Sequence, residues 1–221
     1  MKKITLTLLG LFAMSTSALA QQEVKFGPKA GVNFATLNGK DAKEADMQVG
    51  FHIGAFAEIK FNEQFAIQPE ILYSTQGAQT KGTIQVMGVT ANFEGGIKSS
   101  YINVPIMAKY YVIPSVAIEA GPYVGFLMKA EAESNISAMG ASQELKQDIK
   151  DASNTVDFGV GVGASFNLDN GFFVGARYNL GLTKIYKDYK AETEFENVFI
   201  DSSSETDAKN GVIQVSVGFK F

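Results

Sequence analysis

Apolar and polar residues alternate along eight stretches of the chain. In the clearest stretch, residues 156–168, every even position is apolar and every odd position is Asp, Gly, Ser or Asn. A period of two places all the apolar side chains on one face of a β-strand. The pattern therefore predicts eight strands, at 25–34, 49–61, 65–76, 100–112, 116–129, 156–168, 172–183 and 212–221.

The connections between these stretches also follow a pattern, because three are short and four are long. The short ones are 62–64, 113–115 and 169–171, and the long ones are 36–48, 77–99, 130–155 and 184–211. An even number of strands of about ten residues, with short turns at one end and long loops at the other, is typical of outer-membrane barrels. We therefore predict an all-β fold: an eight-stranded antiparallel up-and-down transmembrane β-barrel with short periplasmic turns and long extracellular loops. The first and last strands are expected to pair and close it.

The two faces of the strands differ in a way that indicates which one meets lipid. Twelve glycines fall on the polar faces, and the apolar faces carry no charge within the strands. A narrow barrel interior suits small side chains, whereas a charge on a lipid-facing position costs about 2–4 kcal/mol at the bilayer midplane. A soluble barrel or sandwich is the alternative, but a Gly-rich face makes a poor water-exposed exterior. The apolar faces are therefore predicted to point outward.

Aromatic residues on the apolar faces cluster at strand ends, as expected of girdles at two membrane interfaces. The group at the short-turn end is Phe26, Phe61, Phe65, Tyr110, Phe166, Phe172 and Phe219, and the group at the long-loop end is Phe34, Phe51, Phe126 and Phe158. Four prolines within the predicted strands argue against a closed barrel, because proline cannot donate a hydrogen bond to the neighbouring strand. Bulges or rim positions are expected at Pro28, Pro69, Pro105 and Pro122.

The first 20 residues differ from the rest and are typical of a secretory signal. Two lysines precede a short apolar run, and Ala18-Leu19-Ala20 is a small-x-small cleavage site. Cleavage before Gln21 would leave residues 21–221 as the barrel domain. That part has 17 basic and 23 acidic residues, a net charge of −6, which disfavours a nucleic-acid partner. The chain has no Cys, so its stability does not depend on disulfides.

Six motifs distributed over the predicted mature chain resemble the PorT-like outer-membrane β-barrel family, which is related in architecture to OmpX and to the OmpA transmembrane domain. They are Gly-Pro-Lys-Ala-Gly-Val-Asn at 27–33, Gln-Pro-Glu-Ile-Leu-Tyr-Ser at 68–74, Tyr-Ile-Asn-Val-Pro-Ile at 101–106 with Lys-Tyr-Tyr at 109–111, Gly-Pro-Tyr-Val-Gly at 121–125, Asp-Phe-Gly-Val-Gly at 157–161 and Gly-Ala-Arg-Tyr-Asn-Leu-Gly-Leu at 175–182. The resemblance implies location in the outer membrane of a Gram-negative bacterium. The named member of the family is associated with protein secretion and gliding, so a secretion-linked role is one alternative for this chain.

The last strand ends on an aromatic residue, a pattern similar to the signal that the barrel-assembly machinery recognises in its clients. Val217, Phe219 and Phe221 are the residues that would carry this signal. An apolar last strand without a recognition role is the simpler interpretation. The terminal Phe favours recognition, so we expect the assembly machinery to be a partner.

Charged residues on the polar faces are expected to pair inside the barrel, because an isolated charge there would be expensive. The predicted interior network is Lys29, Glu58, Lys60, Glu70, Lys109, Glu119, Asp157 and Arg177, and Lys129 is placed inside by the same alternation. We interpret this network as a structural plug. A narrow conducting pore is the alternative, although eight strands leave little room for water.

The sequence singles out no catalytic, metal-binding or cofactor-binding residue. His52 is the only histidine and would lie inside the barrel, but no Ser, Asp or second His stands at a spacing that suggests catalysis. A hydrogen-bonded structural histidine is the favoured interpretation. No calcium-binding loop spacing occurs in the chain.

The long loops carry the acidic charge of the chain. Residues 36–48, 77–99, 130–155 and 188–209 together have 8 basic and 16 acidic side chains. The alternation around Glu192, Glu194 and Glu196 suits a strand that continues beyond the bilayer, whereas 143–151 could form a short helix. Such loops could contact lipopolysaccharide through divalent cations or bind a protein, although solvated acidic loops are the simpler interpretation.

Two classes of function are compatible with these sequence features. The favoured one is a non-enzymatic outer-membrane barrel, in contact with membrane lipid and lipopolysaccharide, whose loops serve adhesion, envelope integrity or partner docking. The alternative is a secretion-linked complex subunit or a narrow transport barrel.

Overall fold

The computed structural model describes residues 23–39, 46–86, 89–138, 141–187, 189–195, 198–204 and 207–221. The predicted signal segment, with Ala18, Ala20 and Gln21 at its cleavage site, lies outside the described residues. Within the described residues, no helix is long and apolar enough to cross a bilayer.

Eight of the described strands pair edge to edge into a closed antiparallel ring. In ring order they are β1 (Glu23–Asn38), β2 (Asp46–Lys60), β3 (Phe65–Val86), β4 (Val89–Ile113), β5 (Val116–Ala138), β7 (Val156–Asn167), β8 (Phe172–Gly181) and β11 (Lys209–Phe219). The ring closes through β1 and β11, which pair from Lys29↔Gly218 to Asn38↔Lys209. The predicted eight-stranded barrel with paired first and last strands is thus confirmed.

Three tight turns connect the strands at one end of the barrel, at 61–64, 114–115 and 168–171. Asn62 stabilises the first turn, because its side-chain oxygen accepts hydrogen bonds from the backbone amides of Gln64 and Phe65. Gly171 in the third turn has a φ of 91°, a left-handed conformation that glycine adopts without steric cost. We call this end the short-turn end and the opposite one the hairpin end.

The apolar faces of the strands point outward, as predicted. In β7, Phe158 and Val162 are about 60% exposed, whereas the alternate residues Asp157, Gly159 and Gly161 are buried. Aromatic rings also meet at the short-turn end, where Phe65 and Tyr110 lie 5.1 Å apart and Phe172 and Phe219 lie 4.8 Å apart. The interior of the barrel is therefore polar and its exterior is apolar.

The long loops contain more regular structure than the sequence predicted. Strands β3 and β4 pair without a break from the barrel out to Val86↔Val89. The outer part of β5 pairs with β6 (Ala141–Asp148), and β9 (Tyr189–Phe195) forms a separate hairpin with β10 (Val198–Ser204). The expected helix at 143–151 is wrong: residues up to Asp148 belong to β6, and only Lys150–Ala152 form a single 3-10 turn. The strand expected around Glu192 and Glu194 is present as β9, and Glu196 lies outside the described residues.

A β-bulge in β5 changes which residues face the interior. Ser100 pairs with Lys129 but the next residue, Tyr101, pairs with Leu127, so Met128 is an extra residue in β5. Alternation is lost there, with Leu127 buried and Met128 and Lys129 both exposed. The prediction that Lys129 lies inside the barrel is therefore wrong, and its ammonium group instead pairs with Glu131 at 2.7 Å.

The prolines are accommodated in a different way from the one predicted. The β4–β5 register is the same on both sides of a gap between Pro105↔Tyr123 and Ala108↔Ala120, and Pro122 lies in this gap, without a partner in β4. The β3–β4 ladder has a similar gap between Pro69↔Ile106 and Leu72↔Asn103, and Pro105 lies in it, without a partner in β3. The β2–β3 ladder is likewise interrupted beside Pro69 without a register shift. Only Pro28 lies at the end of a ladder, where β1 begins to pair with β11. A short gap in pairing, rather than a bulge, therefore accommodates the other three prolines.

Candidate functional site: the polar interior of the barrel

Glu70 is the centre of one layer of charged side chains that crosses the barrel. Its carboxylate accepts hydrogen bonds from Arg177 at 2.6 and 3.0 Å and from Lys29 at 3.1 and 3.3 Å. Arg177 also donates through Nε to Glu119 at 2.7 Å. Lys29, Glu70, Glu119 and Arg177 come from β1, β3, β5 and β8, which are distributed around the ring. The layer therefore extends across the whole cross-section.

A second layer lies nearer the short-turn end and is built around Glu58. Its carboxylate accepts hydrogen bonds from Lys109 at 3.0 Å, from the Tyr111 hydroxyl at 2.7 Å and from Lys220 at 2.8 and 3.0 Å. Lys220 also contacts Asn167 at 2.8 Å. These residues come from β2, β4 and β7 and from the position that follows β11, which are the remaining strands of the ring.

Gln68 joins the two layers, because it accepts a hydrogen bond from Lys109 and donates one to Glu70. Each of the three glutamates is paired with at least one basic side chain in the interior. Such pairing is what makes buried charges tolerable, since removing one partner leaves an uncompensated charge. The arrangement is suited to filling and bracing the interior.

Two of the predicted interior residues do not join these layers. Lys60 is half-buried at the short-turn end, where its ammonium group lies 4.5 Å from the centre of the Tyr111 ring. Asp157 is buried near the hairpin end, and none of the described residues forms a salt bridge with it. The sequence did not predict that Lys220 and Tyr111 belong to the Glu58 layer. Lys220 follows the last strand, and the alternation of apolar and polar residues does not indicate which partner a tyrosine hydroxyl has.

His52 is fully buried and bonded through both ring nitrogens. Nδ1 lies 2.7 Å from Asn33 Oδ1 and Nε2 lies 2.9 Å from Ser216 Oγ. Since an amide oxygen only accepts, Nδ1 carries the proton and Nε2 accepts from the serine hydroxyl. The order of hydroxyl, imidazole and orienting side chain is similar to that of the Ser–His–Asp and Cys–His–Asn triads of hydrolases. However, His52 and Ser216 are only 1% and 5% exposed, so no substrate carbonyl can reach Ser216 in this conformation.

The C-terminal residues contact the first strand and the neighbouring aromatic girdle. The backbone amide of Phe221 donates to the carbonyl of Phe26 at 2.9 Å, and the Phe221 ring lies 4.9 Å from that of Phe219. Val217 and Phe221 are exposed on the outer surface and Phe219 is partly exposed. The three residues of the predicted assembly signal therefore lie beside the seam where the barrel closes, and their recognition stays a prediction.

The part of the β3–β6 sheet beyond the barrel carries exposed ion pairs on its strands. Glu133 pairs with Lys98 at 2.5 Å and with Lys146 at 3.6 Å, and Lys81 pairs with Glu94 at 3.2 Å. The hydrogen bond from Lys98 lowers the pKa of Glu133 below its usual value. A cavity of about 240 Å³ lies between the strands and is bordered by Gln48, Glu94, Lys98, Glu133 and Glu144. No cluster of three acidic, His or Cys side chains suited to a metal ion occurs within the described residues.

A family model described as outer membrane protein beta-barrel domain matches residues 19–187, which is more than half of the chain. The match covers β1–β8 and ends before the strand that closes the ring. No curated protein sequence matches the chain.

Several solved structures are similar to this chain at low sequence identity. The attachment invasion locus protein Ail of Yersinia pestis, crystallised with the heparin analogue sucrose octasulfate, is 15% identical, with 90% of this chain and 99% of that one covered and a TM-score of 0.47. Neisserial surface protein A is 13% identical, with 90% and 99% covered and a TM-score of 0.44. CarO of Acinetobacter baumannii is 12% identical, with 88% and 97% covered and a TM-score of 0.40. Nothing about ligands or activity follows for this chain from likeness at this level.

Proposed function

Because this chain belongs to the outer membrane protein beta-barrel domain family, we propose that it is a non-enzymatic barrel with a structural interior and a recognition surface on its outer hairpins. Its location is the outer membrane of a Gram-negative bacterium. The two layers of paired charge across the interior are the observation that carries the proposal.

The interior network supports a closed barrel. Each strand of the ring except β11 sends a side chain into one of the two layers, and Lys220 enters from just beyond β11. Glu70 and Lys109 are fully buried side chains, which supports an interior filled by side chains rather than by water. Eight strands enclose only enough space for such side chains.

Conductance in planar bilayers tests the closed interior. The refolded chain is expected to give no steady single-channel current, and a large porin inserted in the same bilayers provides the positive control. Steady conductance from the unmodified chain would contradict the proposal and favour the narrow-pore alternative.

The outer hairpins are the favoured recognition surface. They extend the β3–β6 sheet well beyond the barrel, and their carboxylates and ammonium groups form ion pairs between and within the strands. Edge and surface charges of this kind contribute to partner choice more than to stability. The outer hairpins would bind a protein partner, or lipopolysaccharide through bridging divalent cations.

Crosslinked pull-down from native outer membranes tests the recognition surface. Thr80 and Gly95 face each other across β3 and β4, so replacing residues 81–94 with Asn-Gly shortens the hairpin and keeps the register of the barrel. The shortened chain should stay folded but lose the partners that the full chain captures. Retention of every partner would contradict a role for this hairpin, and capture of secretion-complex subunits would favour the PorT-like alternative.

Covalent labelling tests the absence of enzymatic activity. Ser216 has the hydrogen-bond partner of a nucleophile but is enclosed by the barrel. We expect a fluorophosphonate probe to leave Ser216 unlabelled in the folded chain. Labelling that disappears in Ser216→Ala and in His52→Ala would instead identify a serine hydrolase.

A further inference from the structure

Asp157 is the exception among the buried carboxylates of this barrel. Within the described residues four carboxylates are buried, and Glu58, Glu70 and Glu119 are each paired with Lys or Arg. Asp157 is only 5% exposed, and its partners are two neutral groups. Its Oδ2 accepts from the Tyr123 hydroxyl at 3.1 Å and from Asn210 Nδ2 at 2.9 Å. Its negative charge therefore has no counter-charge among the described residues.

The other oxygen of Asp157 has no hydrogen-bond partner among the residues that the structure describes. Oδ1 is buried and accepts no hydrogen bond, and the same is true of Asn103 Oδ1. Burying such oxygens without a donor or a cation costs free energy, and the cost is greater for a charged one. Two unsatisfied acceptors in one region, one of them on a carboxylate, make a place where a cation or a hydrogen-bond donor would be stabilising.

Glycines lie beside both unpartnered oxygens, so no Cβ occupies the positions next to them. Asn103, Gly125 and Asp157 lie in one row across β4, β5 and β7. A Cβ on Gly125 would lie 2.6 Å from Asn103 Oδ1 and 3.6 Å from Asp157 Cβ. A Cβ on Gly181 would lie 3.2 Å from Asp157 Oδ1. A side chain at either glycine would therefore crowd these oxygens and take up the space beside them.

The polar groups around this space are mainly oxygens. In addition to Asp157 and Asn103, these are the hydroxyls of Tyr101 and Tyr123, both buried, with the Asn210 amide nitrogen between Asp157 and Tyr101. Oxygen ligands of this kind select hard cations such as Ca²⁺ rather than soft or imidazole-preferring metals. The site lies at the second residue of β7, close to the hairpin end, where cations can arrive from the outer side.

We propose that Asp157 and Asn103 form a binding site for a hard metal cation, with Ca²⁺ as its test ligand, at the hairpin end of the barrel interior. One carboxylate and neutral oxygens make a weak site, with a dissociation constant of about 10⁻⁴–10⁻³ M, as in extracellular calcium modules. The bound cation supplies the counter-charge that the described residues do not provide. The ligands of this site come from different strands and include only one acidic residue, so no local sequence motif marks it.

Thermal unfolding of the refolded full chain in micelles, with and without calcium, tests the site. At about 10 mM calcium the midpoint should rise by roughly 3–5 °C if the dissociation constant is near 1 mM. Asp157→Asn should show no calcium-dependent rise and should be more stable than the unmodified chain in chelator, because it removes an uncompensated buried charge. Glu144→Gln, which removes an exposed carboxylate, is the matched control and should keep the full response.

Gly125→Ala is a second variant that keeps the carboxylate and fills the space, so it decides the question if Asp157→Asn does not fold. Its calcium response should be reduced at least severalfold, and equilibrium dialysis with ⁴⁵Ca²⁺ should show one site fewer than in Glu144→Gln. Equal calcium responses in all the chains would overturn the proposal in favour of surface carboxylates. A stabilisation of the unmodified chain by acid but not by calcium would overturn it in favour of a proton at Asp157.

Discussion

At the scale of single residues, the interior of this barrel depends on pairing of charge. Glu70 receives four hydrogen bonds from two cations and a fifth from Gln68, so both of its oxygens are saturated. Alternation along the strands predicted that Glu70, Lys29 and Arg177 face inward. It did not predict which of them meet, because these residues are 41 and 107 positions apart in the chain.

Neutralising Glu70 should destabilise the barrel strongly. Glu70→Gln leaves Lys29 unpaired and leaves Arg177 with Glu119 alone, and breaking a buried pair in this way costs about 3–5 kcal/mol. Urea unfolding of the refolded barrel in lipid vesicles measures the change. Glu94→Gln, which removes an exposed partner of Lys81, should cost less than about 1 kcal/mol. Similar small changes in both variants would contradict a bracing role for the Glu70 layer.

At the scale of elements, local alternation of apolar and polar residues predicted where the ring strands lie, but it did not predict how long they are. The loops at 77–99 and 130–155 have no strict alternation, yet β3, β4, β5 and β6 pair along them. The ladder within the barrel aligns the outward continuation of each strand with its neighbour, so pairing extends even where the sequence has no amphipathic pattern. The bulge at Met128 has the same origin, since it depends on how β4 and β5 align and not on β5 alone.

As the pH falls, the outer part of the β3–β6 sheet should lose stability at a higher pH than the barrel does. The Lys98 hydrogen bond lowers the pKa of Glu133 from its usual value of 4.5, so this pair contributes stability above pH 4.5 and loses it as the pH falls through the lower pKa of the folded state. Hydrogen-exchange protection factors around Gly96 and Glu133, which are paired between β4 and β5, should fall in that window. In Glu133→Gln the protection factors should not change with pH over the same range. Loss of protection in the barrel strands at the same pH as in the outer sheet would contradict this order.

At the scale of the whole molecule, closure between β1 and β11 leaves the ring without a free edge. A closed barrel resists dodecyl sulfate until it is heated, because no edge strand is available for opening. The closing strand β11 lies beyond the matched family region, yet it pairs with β1 along ten consecutive residues. The stability of the closed barrel therefore depends on close pairing between β11 and β1.

The backbones of β1 and β11 approach closely at Gly31, so a larger residue at this position should impair closure of the barrel. A Cβ there would clash with the carbonyl oxygen of Val215 and lie 2.7 Å from the His52 ring. We expect the unmodified chain to change its gel mobility on heating and Gly31→Ala to give much less of the heat-modifiable form. Gly82→Ala is the matched control, because a Cβ at Gly82 meets nothing within 4 Å. Unchanged mobility of the unmodified chain on heating would count against the closed barrel itself.

The sequence by itself determined the period of two, the number of ring strands, the outward direction of the apolar faces and the short turns. Each of these follows from neighbours in the chain, because alternation and turn chemistry are local properties. Only the tertiary structure decided that Lys129 lies outside, that Lys220 reaches Glu58 and that Asp157 has no basic partner among the described residues. These outcomes depend on register between strands far apart in sequence, where one extra residue turns a side chain to the opposite face.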